Sequence, residues 1–200
     1  MEFGSALQKR WKKRCPPKIT ADEIENRTNG LRDHLETNQL DAIVLYSRGD
    51  LNFDLMRYFS GYVPVFPRIE SLFVFSTYPP STLLISHKWE QSAADQLSWV
   101  ESVSYFTQDT LRQDLEQVFA DLQIDRSDSI ELIGTDVPWK YYKTLEQILS
   151  SGSVDINTEF WAETVVAPSD YGKKMIERTA DVADAGILAA VQSCESGITE

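Results

Sequence analysis

Five consecutive apolar residues, Ala42-Ile43-Val44-Leu45-Tyr46, constrain the fold more than any other stretch of the chain. They are β-branched or aromatic for the most part, with no polar residue between them, so as a strand they are apolar on both faces. A strand of that kind sits inside a sheet with helices packed above and below it. Ser47-Arg48-Gly49-Asp50 interrupts the run with turn-forming residues. Leu51 to Tyr62 then reads as an aromatic-rich packed loop closing at Gly61, where glycine takes a left-handed backbone at little cost.

The rest of the chain alternates helix and strand around this centre. Thr20-Ala21-Asp22-Glu23 has the pattern of a capping box, and Ile24, Arg27, Leu31 and Leu35 follow on one helical face, with Asn38 at the close. Pro64 and Pro67 exclude a central strand between them. Ser71–Ser76 and Thr82–Ser86 read as a hairpin around Tyr78-Pro79-Pro80. Trp89, Ala93 and Leu97 predict a short helix, and 100–106 a strand. Leu111, Leu115, Val118, Phe119 and Leu122 mark the clearest helix, over 109–123. A strand over 130–133, a helix opening at Pro138 with Tyr141 or Tyr142 inward, and a short strand over 154–156 complete the pattern. The fold class expected is α/β, a mixed sheet covered on both faces. From Ser169 a long helix carries Ile176, Ala180, Ala183, Ile187, Ala190 and Val191 on one face; a face so rich in alanine expects a closely packed neighbour.

Composition sorts the function classes. The sequence is 42% hydrophobic and 25% charged with a mean hydropathy of −0.31, a globular composition. It holds no apolar run near the ~20 residues of a membrane helix. Neither a secretory leader nor a disulfide framework is visible (Cys15 and Cys194 stand alone), so the expected setting is cytoplasmic. The net charge of −12 is uneven: residues 1–18 hold six cations against Glu2, or +5, leaving −17 for the rest. An acidic body repels phosphate backbones and argues against nucleic acid as partner. The basic residues 1–18 read as a flexible leader, and Met1 to Ser5 resembles an expression-vector scar.

Few residues suggest chemistry. His34 and His87 have no companions at ligand spacing and read as surface or loop histidines. Asp50 and Asp54, at i and i+4, read as exposed carboxylates rather than an acid/base pair, and Glu159 to Glu163 as a solvated linker. Phosphate loops, dinucleotide fingerprints and nucleophile elbows are absent. Arg57, Tyr58 and Tyr62 stand out, because arginine and tyrosine serve interfaces and carboxylate recognition as well as ordinary packing.

Taken together, these segments resemble the N-terminal portion of the creatinase / prolidase / aminopeptidase P group, the pita-bread hydrolases. The resemblance rests on the leading helix Ile24–Leu35, the strand Leu40–Leu45 and Arg57-Tyr58-Phe59-Ser60-Gly61-Tyr62, which is similar to that family's N-x-x-Y-x-T/S-G-aromatic signature. It also rests on Pro168-Ser169, Met175–Asp181 and the closing Ser196-Gly197-Ile198-Thr199-Glu200. Two departures are visible. Val165, Val166 and Ala167 stand where members carry Arg-x-x-Lys, and Phe53-Asp54-Leu55 are extra residues.

The resemblance implies a ribonuclease H-like mixed sheet over residues 19–165, with 166–200 as linker and first helix of a truncated pita-bread domain. It implies a non-catalytic role for this chain: dimer contacts and gating of substrate access, with a homodimer and its own catalytic domain as partners. No cofactor is expected in the chain itself; a divalent metal pair would sit on aspartates, a histidine and glutamates beyond its end. Arg57, Tyr58, Tyr62 and Arg68 are the substrate-gating candidates, an arginine meeting a substrate carboxylate. The rival readings are a pseudo-peptidase interaction module binding protein partners, and a free-standing hydrolase using Asp50, Asp54 and His87.

Overall fold

The computed structural model describes residues 19–64, 66–78, 81–160 and 169–194. The departures at Val165, Val166 and Ala167, the Ser196–Glu200 signal and the basic leader lie outside them. Among the described residues, 25–160 belong to one compact unit, and 19–24 with 169–194 to another.

In the larger unit the apolar run becomes β1 (Ala42–Arg48). Residues 42–46 are fully buried, and their two faces enter two separate cores. Burying Ile43, Val44 and Leu45 contributes about 1.5–3 kcal/mol each, so β1 anchors both layers. The other strands are β2 (Glu70–Ser76), β3 (Thr82–Ile85), β4 (Ser102–Tyr105), β5 (Ser129–Ile133) and β6 (Ser153–Asn157). The six-stranded sheet has the order β4-β3-β2-β1-β5-β6. β2 is antiparallel to both neighbours, while the β1–β5, β5–β6 and β3–β4 pairs are parallel. β2 alone therefore runs against the rest, the mixed sheet that the resemblance implies.

Helix α1 (Ala21–Asn38) and α2 (Phe53–Ser60) cover one face, together with Ala94 of α3 (Gln91–Leu97). Their core holds Leu31, Leu35, Met56 and Phe59 against Ile43, Leu45, Phe73 and Ile85. Helices α4 (Leu111–Asp121) and α5 (Trp139–Ile148) cover the other, packing on Val44, Tyr46, Leu72 and Leu132. Tyr141 is the inward tyrosine of α5; Tyr142 is half-buried.

Two expectations are corrected. The stretch expected as a packed loop is mostly helix α2, and Phe53-Asp54-Leu55, expected as extra residues, form its first turn. Two turns are too short to show a 3.6-residue period, which needs a window of about 11–18 residues. Asn52, at the N-cap, is left-handed (φ 56°) and its side chain makes no capping bond to the helix. Gly61 closes α2 at φ 77°, where an added Cβ would also run into the Trp99 ring. The second correction concerns α3. The helix exists, but Glu90 and Ala94 face inward while Trp89 and Leu97 stand 57% and 53% exposed. A 3-10 turn at Lys88–Glu90 precedes it and rotates the frame.

In the smaller unit the Thr20 hydroxyl accepts from the Glu23 N–H at 3.2 Å, one half of the expected capping box. The buried Glu23 carboxylate accepts from Ser169 Oγ at 2.9 Å. Helix α6 (Asp170–Ser193) starts on Ser169, whose Oγ accepts from the Gly172 N–H. None of its residues is buried; Ile176, Ile187 and Val191 are exposed. Among the described residues no helix is long and apolar enough to cross a membrane.

Candidate functional site

In an α/β sheet a ligand crevice opens at the carboxyl ends of parallel strands, where consecutive connections leave in opposite directions. Here that point lies between β1 and β5: the chain leaves β1 toward β2, and leaves β5 toward β6. At that point Asn52 and Thr135 tie together the segments that follow the two strands. Asn52 Oδ1 accepts from the Thr135 N–H at 3.1 Å and from its hydroxyl at 2.8 Å, and Asn52 Nδ2 donates to the Thr135 carbonyl at 2.9 Å. Gly134, at φ 145°, brings the backbone so near that an added Cβ would meet Asn52.

Beside this clamp lies a polar cluster. Lys140 Nζ binds Glu70 Oε2 at 2.7 Å, and the Tyr46 hydroxyl donates to Glu70 Oε1 at 3.4 Å. The buried Tyr141 hydroxyl lies within the field of Glu70 without a hydrogen bond of regular geometry. Burial, then the Glu70 charge, pushes the Tyr46 and Tyr141 hydroxyls far above the ordinary tyrosine range. Arg48 forks onto Asp50 with Nε and Nη2, and that bond holds the exposed Asp50 carboxyl below its usual range, with Arg68 adding a smaller pull.

The four gating candidates differ in burial and in partners. Tyr62 is fully buried, its hydroxyl donating to Glu90 Oε1 at 3.1 Å, and burial followed by the Glu90 charge raises its pKa. Tyr58 serves as a platform: the Arg27 guanidinium lies 4.0 Å above its ring and donates to its carbonyl at 2.8 Å. Arg57, on α2, and Arg68, ahead of β2, are exposed.

The histidines separate. His87 is exposed beside Ser86 and Trp89. His34, expected as a surface residue, has its side chain only 11% exposed and binds Glu131 Oε2 at 2.7 Å through Nε2. The Phe160 ring meets His34 edge-on, and Asn157 Nδ2 donates to Glu131 Oε1 at 3.2 Å. This pair spans 97 positions, so local spacing could not reveal it. The same holds for Asn52 with Thr135 and for Glu70 with Lys140; the signal available was a single polar residue, Glu70 opening β2 or Thr135 following β5. Among the described residues no three His, Cys, Asp or Glu side chains gather where a metal ion could be held.

Known structures share this fold. A creatinase/prolidase N-terminal domain of an X-Pro dipeptidase from Streptococcus pyogenes is similar over 66% of this chain and 99% of its own, at 12% identity and a TM-score of 0.51. An Xaa-Pro dipeptidase from Bacillus anthracis matches over 88% of this chain at 12% identity and a TM-score of 0.64. The prolidase from Pyrococcus horikoshii OT3 matches over 88% at 16% identity and a TM-score of 0.61. The chain spans 45% of the length of each of these last two proteins. The sequence matches no protein-family model and no curated protein. The fold is that of the creatinase/prolidase N-terminal domains.

Proposed function

We propose that this chain is the non-catalytic N-terminal domain of a creatinase/Xaa-Pro peptidase-like hydrolase, serving dimerisation and gating substrate access to the parent's catalytic domain. The observation that supports this best is coverage: the match takes in nearly all of an isolated creatinase/prolidase N-terminal domain but less than half of a whole dipeptidase. A divalent metal pair would belong to the catalytic domain. Arg57 and Arg68 are the gating side chains exposed to meet a substrate carboxylate; Tyr58 and Tyr62 shape the segment from behind. The test is hydrolysis of Xaa-Pro dipeptides by the chain with added manganese or cobalt. Turnover no greater than that of metal alone is expected, and chelator-sensitive turnover would refute the reading.

The second reading, a pseudo-peptidase interaction module, is favoured by the exposed aromatic side chains Phe66, Trp89 and Trp139. Capture of protein partners that survives high salt would distinguish it, because purely electrostatic capture is screened away.

A further inference from the structure

The two edges of the sheet are finished differently. At β4 the outward carbonyl of Val103 is taken by Gln91 Nε2 at 3.0 Å, and the Lys88 ammonium lies 5.5 Å over the Tyr105 ring. Among the described residues β6 has no such cover. Its Ser153 N–H donates to the Asp128 carbonyl, and its Asn157 carbonyl accepts from the Gly134 N–H. In a parallel ladder a residue directs both backbone groups to one side, so residues 153, 155 and 157 serve β5 while Val154 and Ile156 turn theirs outward. No strand among the described residues lies beyond them. β6 also lacks the usual guards of an edge: it has no proline and no lysine, and Ile156 is 52% exposed.

Charge decides what can pair there. The two-fold antiparallel register that uses all four outward groups sets Val154 opposite Ile156 of a second copy, and Asp155 opposite Asp155. Like charges directly across from each other destabilise a strand pair. A basic residue at that place turns the repulsion into attraction. The setting agrees: residues 25–160 carry 21 acidic side chains against ten lysines and arginines, and Glu159 is exposed just past the strand.

We propose that the outer edge of β6 accepts an extended segment of a partner protein as a seventh strand, with alternating apolar and basic residues. The segment's apolar side chains lie beside Val154 and Ile156 and a basic one beside Asp155, while main-chain bonds to Val154 and Ile156 supply register. This is independent of the gating role.

The test uses the full chain and two fluorescein-labelled peptides of alternating Val-Lys and Val-Glu, followed by anisotropy. Saturable binding of the lysine peptide is expected, with the glutamate peptide at least about tenfold weaker. N-methylating the peptide amides that face β6, which leaves the protein untouched, removes binding. Asp155→Lys reverses the preference between the peptides. Equal binding of both peptides, an N-methylated peptide that binds undiminished, no saturable binding, or a dimer of the chain abolished by Ile156→Pro would each overturn the proposal.

Discussion

The side-chain amide of Asn52 is clamped on the main chain and hydroxyl of Thr135, 83 positions away, and joins the segment after β1 to the segment after β5. Asn52 makes these three bonds from a left-handed backbone at φ 56°, a conformation that asparagine tolerates and most residues do not.

Asn52→Ala should therefore lose both the bonds and the tolerated backbone, about 2–4 kcal/mol. Asn52→Gly keeps the backbone freedom and should lose about half of that. Urea unfolding with unchanged slope checks the pair; variants as stable as the parent chain would remove the clamp from the account.

Alkaline pH should destabilise the larger unit. Tyr46, Tyr62 and Tyr141 all have pKa values raised by burial and by a neighbouring carboxylate. A folded-state pKa above the unfolded value near 10 means that the folded chain holds the proton more tightly. Stability is then full below about pH 10 and falls as pH rises past it. Tyr141→Phe removes a buried hydroxyl that has no hydrogen bond of regular geometry, so it should change stability at pH 7 by no more than about 1 kcal/mol. It should also flatten the alkaline limb in a pH series of thermal melts.

His34→Ala should cost about 1–3 kcal/mol, because Glu131, 8% exposed, would keep the Asn157 amide but lose the imidazole. Chemical denaturation measures the loss, and a variant indistinguishable from the parent chain would show that the pair contributes nothing.

The gating candidates should divide by stability. Tyr62→Ala empties a fully buried site and should cost about 3–5 kcal/mol, as large aromatic truncations do. Arg57→Ala and Arg68→Ala change exposed side chains and should stay within about 0.5 kcal/mol. That makes the two arginines usable probes of substrate access in the parent enzyme, read as a rise in KM at unchanged kcat. Unfolding midpoints of the three variants test the division.

The sheet was legible because β1 declares itself: five buried apolar residues in a row allow only a two-faced core. The stripe Leu111–Leu122 and the capping Thr20 were equally local signals. Helix α2 was not legible, since eight residues opening on a left-handed asparagine show no period. The contacts that define the candidate site were hidden for another reason. Asn52–Thr135, Glu70–Lys140 and His34–Glu131 each join residues at least 70 positions apart, and each half reads alone as an ordinary polar residue.

Dimerisation is the claim most directly open to measurement, by sedimentation velocity of the chain over a concentration series. A dimer that dissociates on dilution and is unchanged by Ile156→Pro is the result predicted. A monomer at every concentration would contradict a self-sufficient dimerisation domain and leave partner binding as the better account of this chain.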